Sequence, residues 1–286
     1  MDHPPTNPIH PGSNGTLTET TSLVPTRLGR LHVRLVGDGP TTVLWSSMFV
    51  DSHTWDSMVP LLPSGRRYAL VDPPGLGLSE PLRGASDISA AADAATDLLT
   101  GLEVDGPVDW VGNAFGGHVG FKLAARAGVL RSLVAVSSPA QPIDAALRRQ
   151  ITLLLPILRT AGPVGPVRTA ILTAMLTDAS RASEPLRQVV EASLARPTRR
   201  SMALAVQSFI LNRVDVTGEL AQLGVPSLFV ASDDRGDWSP QDSEYAASLA
   251  PDASAVTVQR ARTLVPLEQP EMLATLVRRF WDQLSG

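Results

Sequence analysis

Apolar residues along this chain fall into short runs bounded by turn residues, with stretches of helical periodicity between them. Residues 17–28 and 31–36, joined at Gly29-Arg30, predict an amino-terminal hairpin. After it, strands predicted at 42–46, 68–72, 107–111 and 132–137 alternate with helices at 54–62, 88–102 and 115–127. From residue 139 to about 224 the strand signal stops, and helical stretches follow, punctuated by Pro156, Gly162-Pro163, Gly165-Pro166, Pro185 and Pro197. The alternation resumes with a strand at 226–231, a helix at 241–249, a strand at 255–259 and a closing helix at 270–284. Such βαβα order predicts an α/β protein with a mostly parallel, doubly wound sheet. The expected organisation is a tail at 1–15, a core at 16–138 and 225–286, and a helical cap inserted at 139–224.

Composition narrows the partners more than the fold. The 286 residues are 43% apolar, enough for one sizeable core. The net charge of -4, from 24 basic and 28 acidic residues, argues against nucleic acid and against an anionic membrane surface. A small apolar molecule is the expected partner, and no cofactor or metal is implied. With no cysteine the chain has neither disulfides nor thiolate metal sites. The first 15 residues are polar and rich in Pro, Gly and Asn, which reads as a flexible tail on a cytoplasmic protein rather than an export signal. Residues 151–158 are too few to span a bilayer. The oligomeric state is not legible in the sequence.

One segment concentrates the chemistry. Val111-Gly112-Asn113-Ala114-Phe115-Gly116-Gly117 has the spacing of a nucleophile elbow, G-x-S-x-G, a sharp strand-to-helix turn that holds one side chain at its tip. Here that side chain is the methyl group of Ala114. Four further segments stand in matching order: Leu44-Trp45-Ser46-Ser47-Met48 through Trp55; Asp72-Pro73-Pro74-Gly75-Leu76-Gly77-Leu78-Ser79; Val225-Pro226-Ser227-Leu228-Phe229-Val230 leading to Asp233-Asp234; and Leu267-Glu268-Gln269-Pro270-Glu271. Together they make the chain resemble the α/β-hydrolase superfamily over residues 20–286, most similar to its enol-lactonase and C-C hydrolase branches. The resemblance implies Ser, Asp and His in that chain order, with two backbone N–H groups as an oxyanion hole.

Against that pattern, Ala114 replaces the nucleophile and Thr263 stands where the histidine belongs, while Asp234, or Asp233 one register away, keeps the acid. The five histidines are His3, His10, His32, His53 and His118, none of them after the elbow helix. A laboratory exchange of serine for alanine would account for Ala114 but not for Thr263. An isolated carboxylate in a partly buried site calls for a partner, and Arg235, Arg260, Arg262 and the Thr263 hydroxyl are the candidates for Asp234. Asp234 then either acts as a general acid/base, binds a cationic or hydroxylated ligand, or is a relic neutralised by arginine.

By the resemblance, Met48 and Phe115 supply the two oxyanion-hole N–H groups, and these survive any side-chain change. Trp45, Ser46, Ser47, Phe49 and Trp238 are the expected pocket wall, with help from the inserted helices. His118 lies four residues beyond Ala114, roughly 40° away around the helix and one turn along it, which suits a structural role. His53, two residues from Asp51, could form a loop pair at the pocket mouth.

The resulting expectation is a non-hydrolytic enzyme, a lyase, decarboxylase, isomerase or cyclase acting on an apolar carbonyl compound. A catalytically dead ligand-binding or partner protein, or an inactivated hydrolase, is the alternative.

Overall fold

The computed structural model describes residues 18–234 and 238–285, so the expected tail at 1–15 lies outside the described residues. Eight strands form one sheet: β1 (Glu19–Thr26), β2 (Gly29–Val36), β3 (Thr41–Trp45), β4 (Arg67–Val71), β5 (Val108–Asn113), β6 (Leu130–Val136), β7 (Ser227–Ser232) and β8 (Ala253–Val258). Their spatial order is β1-β2-β4-β3-β5-β6-β7-β8. The pairs β1/β2 and β2/β4 are antiparallel and the others parallel. This is the α/β sheet that the alternation predicts.

Period-two alternation sorts the strand side chains into two cores. Val43, Trp45, Val71, Trp110, Leu133 and Phe229 face one apolar layer, while Leu44, Leu70, Val111, Val134 and Val230 face the other. The first layer is covered by α1 (Ile88–Gly101) and α2 (Phe115–Ala124), the second by Trp55, Met58 and the closing helix, which carries Leu273, Val277 and Trp281. Both faces are buried, so the central strands read as continuous apolar runs.

Between β6 and β7 the chain is helical: α3 (Ala145–Ala161), α4 (Pro166–Met175), α5 (Asp178–Ala182), α6 (Glu184–Ala195), α7 (Arg199–Val206), a π-turn at Gln207–Leu211, and α8 (Thr217–Leu220). Then come α9 (Pro240–Leu249), α10 (Val265–Glu268) and α11 (Pro270–Ser285). Pro156 does not break its helix. It sits inside α3 on the exposed side.

The helix expected at 54–62 is instead two 3-10 turns, Ser52–Trp55 and Val59–Leu61. Pro60 has no N–H to give to an α-helical ladder, and the neighbouring bonds reach back three residues, from Met58 N to Trp55 O (2.9 Å) and from Leu61 N to Met58 O (2.9 Å).

At the amino end of β5 the buried Asp109 accepts from Ser132 Oγ at 2.6 Å and pairs with Arg66 and Arg131. Burial pushes its carboxyl up, but Arg131, Ser132 and Arg66 outweigh that and leave it below the usual value. Replacing Asp109 by Ala should cost about 3 kcal/mol, the low end for a broken buried pair because Arg131 is half exposed. A lower urea midpoint is the measurement. A depressed carboxyl contributes stability above its unfolded pKa and loses it in acid, so the wild type should lose stability below about pH 4 more steeply than the variant.

Strand order also places the site. The chain runs from β3 to β4 on one side and then crosses to β5 on the other, so the sheet's switch point lies between the carboxyl ends of β3 and β5. Crevices at such points hold ligands.

Candidate active site

At the end of β5 the elbow is intact. Ala114 adopts φ 47°, ψ -101°, a conformation that costs a non-glycine residue about 1–3 kcal/mol. Ala114 N donates to Val136 O at 2.7 Å, and Ala114 O accepts from Gly117 N at 3.0 Å and His118 N at 3.2 Å. A Cβ on Gly112 would collide with the backbone of Gly116, and one on Gly116 with the carbonyl of Trp45. The glycines of the motif are thus required by close approach of strand, turn and helix, whatever side chain sits at the tip.

The loop after β3 forms the facing wall. Ser46 Oγ accepts from Trp55 Nε1 at 3.1 Å, the Ser47 hydroxyl is buried without a partner among the described residues, and Phe49 has φ 67°. Among the described residues neither Met48 N–H nor Phe115 N–H has a protein acceptor.

Asp234 and Thr263 do not form a relay. Arg262 takes the carboxylate, Nη2 to Oδ2 at 2.9 Å, and its Nε reaches Asp234 O at 3.3 Å. The same guanidinium donates to Thr173 O and lies 3.7 Å from Asp178. Arg262 is therefore the partner that the isolated acid required; Arg235 lies outside the described residues. The Thr263 hydroxyl donates to Ala174 O at 2.9 Å instead, and Thr263 O accepts from Asn113 Nδ2 at 2.8 Å.

Among the described residues no histidine substitutes. His118 is buried with Nε2 2.5 Å from Pro139 O, and burial, then the charge of Arg213, lowers its pKa to about 3. It is neutral at pH 7, so its Nε2–H donates to that carbonyl. The His53 ring pairs with Asp56 (2.8 Å), not with Asp51, whose carboxylate accepts from His53 N.

A cavity of about 1090 Å³ meets this region at Phe49 and Arg262, while Ala114, Met48, Phe115, Asp234 and Thr263 do not line it. Phe49, Leu147, Leu154, Leu158, Ile171 and Val206 supply apolar wall, and Arg149, Asp178, Arg181 and Arg262 the polar part. Of the five residues expected to line a pocket, only Phe49 does. Trp45 is stacked on Trp110 at 5.2 Å, Trp238 packs against Phe229 at 5.7 Å, and Ser46 and Ser47 are turned into the loop. Trp45 and Trp238 look like pocket residues in the sequence because size and apolarity do not report which way a side chain points. Residues 146–174, on α3 and α4, do most of the lining. Two residues sequence reasoning passed over, Asp51 as a buried charge and Arg196 as its partner, lie 145 positions apart, and no local pattern links them.

The comparisons with known proteins bear on what such a site does. The chain is 26% identical over 270 residues to pimeloyl-[acyl-carrier protein] methyl ester esterase of Stenotrophomonas maltophilia, covering 89% of this chain and 98% of that protein. Its fold matches a thermophilic esterase from Thermogutta terrifontis (TM-score 0.81, 21% identity, 93% of this chain and 98% of that one). It also matches the enol-lactonase from Burkholderia xenovorans LB400 (TM-score 0.82, 20% identity, 92% and 100%). These relatives correct the expectation of a lyase, decarboxylase, isomerase or cyclase. Sequence relatives that span most of the chain are named esterases, so Ala114 and Thr263 do not license a reading as a degenerate triad retired to non-hydrolytic chemistry. A family model described as the alpha/beta hydrolase family matches residues 37–276, and the chain belongs to that family.

Proposed function

We propose that the protein hydrolyses carboxylic esters of an apolar acyl group, with water attacking directly. The carrying observation is the elbow itself: Ala114 is still held at φ 47°, between β5 and α2, and among the described residues neither the flanking Phe115 N–H nor the Met48 N–H has a protein acceptor. In this reading the two N–H groups receive the ester carbonyl oxygen and stabilise the charge that develops there. The water oxygen bonds to the carbonyl carbon and releases its proton to solvent. The tetrahedral oxyanion then collapses, the bond to the alkoxy oxygen breaks, and that oxygen takes a proton from water. No acyl-enzyme forms, because a methyl group cannot be acylated.

The names of the sequence relatives support the ester class, and the cavity supports an apolar acyl group. The helices between residues 139 and 224 serve as the cap, residues 16–138 and 225–286 as the core, and Asp234 with Arg262 as a fixed charge pair in the wall. A small-molecule ester suits a cytoplasmic protein, and among the described residues no helix is long and apolar enough to cross a membrane. The test is methanol release from methyl esters of graded acyl length. Release that grows with chain length and exceeds a buffer blank supports the reading; a rate equal to the blank for every ester overturns it.

A further inference from the structure

The loop that carries Met48 and Phe49 is strained, and its anchor lies in another part of the molecule. Three residues after Met48, Asp51 is only 1% exposed. One of its carboxylate oxygens accepts from His53 N at 3.1 Å, and its carbonyl accepts from Thr54 N at 3.1 Å and Thr54 Oγ1 at 2.9 Å. The other carboxylate oxygen is taken by the guanidinium of Arg196, the residue that closes α6.

A second buried carboxylate stands close by. Asp72 has its own partners, His32 Nδ1 at 3.0 Å, Leu78 N at 2.9 Å and Ser52 N at 2.8 Å, so it offers Asp51 no relief. A Cβ on Gly77 would meet both the Asp72 carboxylate and Asp51 Cβ, a measure of how closely they are packed. Burial, then the charge of Asp72, pushes the Asp51 carboxyl above its ordinary value, against the pull of Arg196. Among the described residues Arg196 makes the one ion pair on Asp51.

Phe49 keeps φ 67° in this loop, a backbone state that persists only where its surroundings impose it. We propose that Arg196 is a positioning residue for the reaction: through Asp51 it fixes the Met48 N–H and the Phe49 ring from the end of α6. The inference rests on the ester-hydrolysis reading above, and it gives the inserted helices a part in setting the oxyanion turn.

Arg196→Met and Arg196→Lys test it, with methyl octanoate as substrate. The Met variant should lose about tenfold in kcat with KM changed by less than about twofold, because the ester still fills the same cavity while its carbonyl is held less well. The Lys variant restores a charge on Asp51 and should recover most of the loss. An unchanged kcat in the Met variant, or a loss that lysine does not repair, overturns the proposal. Should the wild type turn over no ester, the hydrolase reading itself fails, and the backbone amide signal of Met48 decides the pin alone. A Met48 signal that shifts in the Met variant and returns in the Lys variant keeps it; one that stays in place sinks it.

Discussion

Combining Ala114→Ser with Thr263→His should raise kcat for a methyl ester about a hundredfold over the wild type, while Ala114→Ser alone should change it by less than about twofold. Triad members act non-additively: in serine hydrolases, loss of the serine or the histidine alone costs about as much as loss of all three. A hydroxyl at the elbow without a base is therefore idle. The elbow backbone needs no adjustment to receive a serine, since Ala114 already holds the strained turn. At position 263 the backbone is fixed by Asn113 Nδ2. What remains missing in the double variant is the acid, because Arg262 occupies the Asp234 carboxylate. The absent acid costs a triad on the order of ten-thousandfold, which leaves a gain of about a hundred. Adding Arg262→Gly frees Asp234 and should bring the total towards about a millionfold, the full worth of a triad. A single Ala114→Ser variant as active as the triple would show that some other group already acts as base, and would end this account.

The wild type should hydrolyse its ester about a thousandfold faster than buffer at neutral pH, with a rate that does not change with pH and shows no histidine inflection between about pH 5 and 8. The rate follows from what survives loss of a triad: carbonyl polarisation and binding. The pH profile follows from the histidines. His118 has its pKa lowered to about 3, and its Nε2–H is already committed to Pro139 O, so it neither titrates in that range nor accepts a proton there. Following methanol release across the range gives the slope. A bell or a sigmoid near neutrality would identify a titrating base and contradict unassisted attack by water.

The elbow was legible in the sequence because steric demands fix its glycines: Gly112 and Gly116 have no room for a Cβ whether or not the tip residue reacts. Strands were legible through their apolar runs, with ends that shift by one or two residues, as for β6 at Leu130–Val136. The 3-10 turns at Ser52–Trp55 and Val59–Leu61 were not, because one proline decides between ladder types where the apolar spacing suits both. The cavity wall was misjudged for a related reason. Trp45 and Trp238 are large and apolar, but the side of the sheet they face is set by strand register and tertiary packing, which single-sequence periodicity does not carry. The chemistry was misjudged differently. Missing side chains describe what one mechanism has lost, and they say little about backbone donors that remain.

Among the long helices of the insertion, α3, which lines much of the cavity, has the smallest buried share. Only Leu158 of the 17 residues in α3 is fully buried, and Leu153 is 70% exposed. Elsewhere the inserted helices are tied down, α7 through Ser201 Oγ to Gly75 O at 2.6 Å and the chain after α4 through Thr177 N to Glu268 at 2.8 Å. Elements with few buried apolar contacts open at a fraction of the global unfolding free energy. Where α3 loosens, the wall it gives the cavity loosens with it, so the shape of the cavity becomes a property of local helix stability. A helix-favouring substitution on its outer face would stiffen that wall from outside the cavity.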